Sequence, residues 1–308
     1  MSALRQSLGD YLTIRRSLGF KLARTGLLLA DFVDYAERGG ADIVTTELAF
    51  SWATLSPDGA AAWSAQRLGV VRGFARHLHA IDPAHEVPPT DLIVGRSRRA
   101  TPYPYSAADI EALMTAAGSF RSPLRVCTFE TLVGLLTTTG MRVGEAIGLD
   151  RSDIDWDNGL VLITDTKFGK SRLVPLHPTT LDALATYDRR RDQLCAHPRD
   201  PSFFVSTVGT RLHYCNVHEG WLQLVRRAGL ERLSARCRPR LHDLRHRFAV
   251  NTLIGWYRDG VDVQARLPLL STYLGHSNPG STYWYLSAAP ELLSLTARRL
   301  DDAQGAKP

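Results

Sequence analysis

The helical spacing that dominates this chain is broken once at length. Between Pro88-Pro89 and Thr101-Pro102-Tyr103-Pro104 the chain is rich in proline and, through Arg96, Arg98 and Arg99, basic. Proline biases the residue before it away from the helical region, so this stretch is extended. It predicts an interdomain linker over 88–104, between a smaller N-terminal unit, 1–87, and a larger one, 105–300, with a tail over 301–308. A length of 308 residues suits two such units, each able to bury its own core. A hydrophobic fraction of 44% with 22% charged residues excludes a largely disordered or fibrous chain.

Within the first unit apolar residues recur at helical spacing: Leu8, Tyr11 and Leu12; then Leu27, Ala30, Phe32 and Tyr35; then Leu68, Val71, Phe74, Ala75 and Leu78. Four helices are expected between residues 4 and 81. Gly39-Gly40 ends the second, Thr45 or Thr46 caps the third, and the fourth spans 61–79. That last helix carries Gln66, Arg67, Arg72 and Arg76 beside its apolar stripe, a face either solvated or set against phosphate. In the second unit Ser106, followed by Asp109, opens a helix to residue 117, and another is expected over 124–138. The period then changes. Gly159-Leu160-Val161-Leu162-Ile163-Thr164 and Ser171-Arg172-Leu173-Val174-Pro175-Leu176 flank a polar stretch, 165–170, and predict a β-hairpin. Helical patterns return over 179–194 and from His242 to residue 256, and continue to the end. The fold class is mainly α with a small antiparallel β-sheet, an α+β domain behind an all-helical one.

Several classes are excluded. No apolar run approaches the ~18 residues of a membrane span. The first residues, with Arg5, Asp10, Arg15 and Arg16 scattered through an amphipathic pattern, do not form a signal sequence, so the chain is expected in a bacterial cytoplasm, with the nucleoid. Cys127, Cys195, Cys215 and Cys237 show neither zinc-type spacing nor a disulfide framework. Lys and Arg number 37 against 31 Asp and Glu, a formal charge of +6, which favours a polyanionic partner such as nucleic acid without requiring one. Arg67, Arg72, Arg76, Arg96, Arg98, Arg99 and Lys170 are the candidate DNA-contacting cations.

Four segments carry chemistry: Thr139-Gly140-Met141-Arg142-Val143-Gly144-Glu145; the hairpin tip with Lys167; His242-Asp243-Leu244-Arg245-His246; and Leu274-Gly275-His276, with Tyr285 nine residues after the histidine. Arg142 follows a Thr-Gly turn at the mouth of a helix. Arg245 lies three residues after His242, so those two share a helix face. Two planar guanidiniums converging on one phosphate would grip its non-bridging oxygens bidentately and neutralise the charge of a pentacoordinate transition state, without a metal. A phenol of pKa ~10 is a poor nucleophile, but nearby guanidiniums favour the phenolate, and attack on phosphorus would store the broken backbone bond as a phosphotyrosine. By residue type alone Tyr285, Tyr283 and Tyr273 all compete for that role. His242 and His246 have the spacing of a zinc pair, but Asp243 stands where such a motif needs glutamate, and Arg245 places a cation beside them, which argues against metal.

In this order and at these intervals the segments resemble the tyrosine recombinase, or phage integrase, family, from about residue 106 to Tyr285. The N-terminal helices and linker are similar, less specifically, to that family's core-binding domain. The resemblance implies a two-domain C-clamp on double-stranded DNA and site-specific strand exchange through a 3′-phosphotyrosine and a Holliday junction, with no cofactor. It implies Tyr285 as nucleophile, because the family's tyrosine sits nine residues after that histidine, and Arg142 and Arg245 as the phosphate clamp. Lys167, five residues before Arg172, would be the general acid for the 5′-hydroxyl, with Lys170 the alternative. His242 would shuttle the tyrosine's proton, His276 would donate to the phosphate, and Glu145 would orient Arg142 or His242. The implied partner is a specific recombination site bound by a homotetramer, possible helpers being co-encoded recombinases. Tyr283-Trp284-Tyr285-Leu286-Ser287 resembles the recombinases of transposons and similar mobile elements. Two features depart from the family pattern: Pro279-Gly280 ahead of the tyrosine, and a longer stretch over 255–270. Leucines at helical spacing over 290–300 predict a terminal helix that packs on its own domain or docks on a neighbour. A type IB topoisomerase shares this residue set. A non-cleaving DNA-binding accessory protein and a metal-dependent phosphodiesterase are the readings from other classes.

Overall fold

The computed structural model describes residues 2–55, 61–93, 100–164, 171–276, 278 and 280–287. They fall into two compact units, one from 2–93 and the other from residue 100 onward. The first holds the four expected helices, α1 (Ala3–Ser17), α2 (Ala23–Arg38), α3 (Thr46–Thr54) and α4 (Ala61–His79). Thr45 caps α3, its hydroxyl accepting from the Leu48 amide at 3.1 Å. The facing stripes bury Leu29, Phe32, Val33, Val71 and Phe74 completely. The chain after α4 stays with this unit. His85 Nδ1 accepts from the Val44 amide at 3.0 Å, the Glu86 carboxylate accepts from the Thr46 amide at 2.7 Å, and Arg72 donates to the carbonyls of Pro88 and Pro89.

The second unit contains α5 (Ala107–Ala117), α6 (Pro123–Thr139), α7 (Val143–Gly148), β1 (Ile154–Asp155), β2 (Leu160–Ile163), β3 (Arg172–Pro175), α8 (Pro178–Leu194), α9 (Tyr214–Arg227), α10 (His242–Arg258), α11 (Val263–Leu274) and α12 (Gly280–Ser287). Tyr103 and Tyr105 are buried in its core with ring centroids 4.8 Å apart. Both ends of the stretch expected to be a linker, 88–104, are thus taken up by the units they adjoin. Ser106 and Asp109 form a reciprocal capping box at α5, and Ser122 with Pro123 opens α6. Leu132, Val133, Leu135 and Leu136 bury α6 on more than one side, and it packs against α5, α8 and α10.

The sheet has the order β1-β2-β3, antiparallel throughout, with Val161 opposite Val174 and Ile163 opposite Arg172. This adds a short third strand to the expected hairpin. It also sets Arg172 on the same face as the buried Val174. Helix α9 was not expected. Its buried stripe of Val217, Trp221, Leu224 and Val225 has the i, i+4, i+7, i+8 spacing of an amphipathic helix, opposite a polar face. A separate cluster joins Ala249, Leu253, Val263, Leu267, Leu270, Leu274 and Tyr285 across α10, α11 and α12. The longer stretch over 255–270 supplies the end of α10 and most of α11. All four cysteines are free. Among the described residues no helix is long and apolar enough to cross a membrane. Lys167 and Lys170 at the hairpin tip, Arg96, Arg98 and Arg99, and the expected helix over 290–300 lie outside the described residues.

Candidate active site

Helix α6 ends at Gly140, whose φ of 61° is left-handed. A Cβ at this position would lie 2.4 Å from the Phe248 ring, so the turn needs glycine for space as well as conformation. The turn delivers Arg142 to the start of α7. There its amide donates to the Glu145 carboxylate at 2.8 Å and its Nη1 donates to the same carboxylate at 2.6 Å. Arg172 adds a bidentate pair, Nη1 to Oε1 at 3.1 Å and Nη2 to Oε2 at 2.8 Å. Burial alone would raise the Glu145 carboxyl. Hydrogen bonds from Arg172 and the Arg142 amide, with the charges of both arginines, outweigh burial and hold it at about 2.

The end of α11 gathers the guanidiniums. The Tyr273 carbonyl accepts from Arg172 Nε at 2.8 Å, that of Leu274 from Arg245 Nη2 at 2.6 Å, and that of Gly275 from Arg142 Nη2 at 3.1 Å. Carbonyls at a helix C-terminus lack intrahelical partners and lie at the negative end of the macrodipole, so they suit cations. Gly275, with φ 66°, closes the helix, and a Cβ there would sit 2.8 Å from Arg172 Nη1. Arg245 also donates to the Gly140 carbonyl at 3.0 Å. Three cations from three distant segments therefore share one cluster, with Arg245 almost fully buried and 40% of the Arg142 side chain open.

That charge sets the state of the imidazoles. Burial, followed by the positive charges of Arg245, Arg142 and Arg172, pushes His276 down to about 4. His242, at the start of α10, has an edge open to solvent, yet the protein crowded beneath it and the Arg245 cation also hold it below the ordinary histidine range. Both are neutral at neutral pH, each with one ring nitrogen to donate and one to accept. Tyr285 is 5% exposed, its ring stacked 5.9 Å from that of His276 and tilted at 5.2 Å from that of His246. Burial disfavours the Arg245 cation, and the Tyr285 phenol beside it offsets part of that penalty. The competing tyrosines differ. Tyr283 is 57% exposed, and Tyr273 stacks on Phe248 with its phenol pushed up to about 12 by burial. The departure at Pro279-Gly280 still permits the tyrosine's helix, because the Asn278 Oδ1 accepts from the Gly280 amide at 2.8 Å where α12 begins. His246 faces the Trp284 ring at 4.9 Å and so turns toward α12.

The structure thus brings together Arg142, Glu145, His242, Arg245, His276 and Tyr285. Arg172, which shares Glu145 with Arg142, is a site residue that sequence reasoning missed. Its signal was a basic residue two positions before a core valine on one strand face. Thr282, whose hydroxyl lies 2.7 Å from His276 Nδ1, was also missed. Of the candidate DNA-contacting cations, Arg67 is turned inward: its guanidinium lies 3.9 Å over the Trp52 ring and 3.6 Å from Asp31, leaving 11% of its side chain exposed. Arg72 is spent on the Pro88 and Pro89 carbonyls, whereas Arg76 is exposed.

A cluster of guanidiniums, two neutral imidazoles and a buried tyrosine on a mainly helical scaffold makes an anion site with a nucleophile at hand. Comparison with known proteins gives that class a family. The profile described as "Phage integrase family" matches residues 105–291. The chain is 43% identical over 307 residues to y4rB of Sinorhizobium fredii, covering 98% of each, and 28% identical over 235 residues to the tyrosine recombinase XerC of Alcanivorax borkumensis, covering 76% of this chain and 71% of that one. Its fold matches the Tn1549 transposon integrase, solved in complex with transposon right end DNA, with a TM-score of 0.65 at 16% identity over 98% of this chain and 99% of that one. The chain belongs to the phage integrase family and is a tyrosine recombinase, a DNA breaking and rejoining enzyme.

Proposed function

We propose that this recombinase cuts and rejoins both duplexes of a specific recombination site through Tyr285. The observation that carries the reading is the placement of that phenol, buried between His276 and His246 beside the Arg245 cation. The Tyr285 oxygen attacks phosphorus, its proton passing to neutral His242, while the bond from phosphorus to the 5′-oxygen breaks. Lys167 protonates that leaving oxygen. Arg142 and Arg245 hold the non-bridging oxygens as negative charge accumulates, and His276 donates a further hydrogen bond. The 3′-phosphotyrosine keeps the energy of the broken linkage, so a 5′-hydroxyl from the partner duplex reseals the strand without ATP, and two rounds pass through a Holliday junction. Four strands are cut in all, which a homotetramer on DNA supplies with one tyrosine each. Kinship with y4rB and with a transposon integrase supports a mobile element as the setting. Arg76 is the cation of α4 best placed to meet phosphate.

The test is a suicide substrate built from the inverted repeats that the purified protein protects. Wild type is expected to form a covalent adduct and Tyr285→Phe none. An adduct in Tyr285→Phe, or none in wild type, overturns the assignment, and relaxation of any plasmid regardless of sequence would point to topoisomerase activity instead.

A further inference from the structure

Thr282 lies on α12 one helical turn before Tyr285, so the two share a helix face. It is 2% exposed, and its Oγ1 lies 2.7 Å from His276 Nδ1. Thr179, in the first turn of α8, also meets an imidazole, that of His177 at 2.8 Å, but that pair is exposed, and six other helical threonines use the backbone. Thr13, Thr54, Thr128, Thr138, Thr139 and Thr252 each donate their hydroxyl to the carbonyl four residues back. The Thr282 hydroxyl instead meets the imidazole. A buried hydroxyl that accepted from Nδ1 would leave its own proton without that partner, a state that costs more than the bond gains. Donation to Nδ1 satisfies the hydroxyl and requires Nδ1 to carry a lone pair. The single ring proton of neutral His276 then resides on Nε2.

We propose that Thr282 is a positioning residue: its hydroxyl fixes His276 as the Nε2–H tautomer and ties that imidazole to the helix bearing Tyr285. The assignment rests on the function proposed above, in which His276 donates to the phosphate. The His276 main chain is fixed to the end of α11, where its amide donates to the Ser271 carbonyl at 3.0 Å. One hydroxyl thereby links the phosphate donor, anchored to α11, to the nucleophile on α12. A shift of α12 that misplaces the tyrosine also releases the tautomer, so the two groups are set together or not at all.

Tautomer and activity are read separately. In protein labelled with 15N-histidine, without DNA at pH 7, the His276 resonances, assigned with His276→Gln, are expected to show a protonated Nε2 and a bare Nδ1. Thr282→Val, which keeps the shape and removes the hydroxyl, is expected to mix the tautomers and slow the single-turnover covalent step about three- to tenfold, the loss of one hydrogen bond, at unchanged half-saturating DNA concentration. Thr282→Ser is expected to restore both readouts, which a loss of packing would not allow. A protonated Nδ1 in wild type, or a Thr282→Val protein with unaltered tautomer, overturns the proposal. If wild type forms no adduct while the tautomer shifts in Thr282→Val, the functional reading fails and the assignment of Thr282 stands.

Discussion

Replacing Glu145 by glutamine removes the one carboxylate shared by Arg142 and Arg172, and its effect can be sized from the geometry. The carboxyl is held at about 2 against an ordinary 4.5, a difference equivalent to about 3 kcal/mol of folding free energy. Because the folded value is the depressed one, this stability is fully present above pH 4.5 and is lost as pH falls toward 2. Glu145→Gln is therefore expected to be less stable than wild type by about 3 kcal/mol at pH 7, a gap that shrinks to less than half by pH 3. Burial strengthens the case: 11% of the Arg172 side chain is exposed, so losing its partner strands a cation in the interior. Urea unfolding of both proteins at pH 7, 5 and 3 reads the gap directly. A gap that stays constant across this range, or is absent at pH 7, refutes the view that this ion cluster holds the site together. Suicide-substrate cleavage should fall about 10- to 100-fold in the same variant, because Arg142 loses the carboxylate that orients it.

Acid should act on His276 in a different window. Its folded value of about 4 lies below the ordinary 6.5, so the unfolded chain takes up the proton first, and stability falls between pH 6.5 and 4; His276→Gln should flatten that part of the urea-midpoint profile, and parallel profiles would refute the cause. Gly140→Ala sets a Cβ 2.4 Å from the Phe248 ring at a left-handed φ, and should destabilise by about 2–3 kcal/mol, lowering Tm by about 5–10 °C in calorimetry. Arg67→Ala should lower stability and leave the salt dependence of DNA binding unchanged, whereas Arg76→Ala should leave stability unchanged and reduce the slope of log K against log salt by about 1, as measured by fluorescence anisotropy.

Residue order carried much of the site. Thr-Gly-Met-Arg and the His242 to His246 segment were readable because each depends on local spacing along a turn or helix, whereas the choice of Tyr285 over Tyr283 and Tyr273 rested on the resemblance to the recombinase family. The same holds for the caps at Thr45 and Ser106 and for the hairpin strands, whose period differs from that of the helices around them. Helical spacing also marks α9, through Val217, Trp221, Leu224 and Val225, but it does not say what that stripe packs against. It also cannot tell an outward arginine from an inward one. Arg67 and Arg76 sit nine residues apart on one helix, yet Trp52 and Asp31, which draw Arg67 inward, come from other helices.

The linear order of residues carries the inventory: a tyrosine, arginines and histidines in an order that fits phosphoryl transfer, on a mainly helical chain with one small sheet. How these groups are held depends on contacts between segments far apart in the chain. The Tyr273, Leu274 and Gly275 carbonyls receive Arg172, Arg245 and Arg142 across separations of 101, 29 and 133 residues, and Glu145 serves two of those arginines at once. Backbone carbonyls are present at every position and so leave no mark in a sequence. Their ability to collect cations arises only when a helix ends, its last oxygens lose their partners, and the rest of the chain folds to bring the guanidiniums to them.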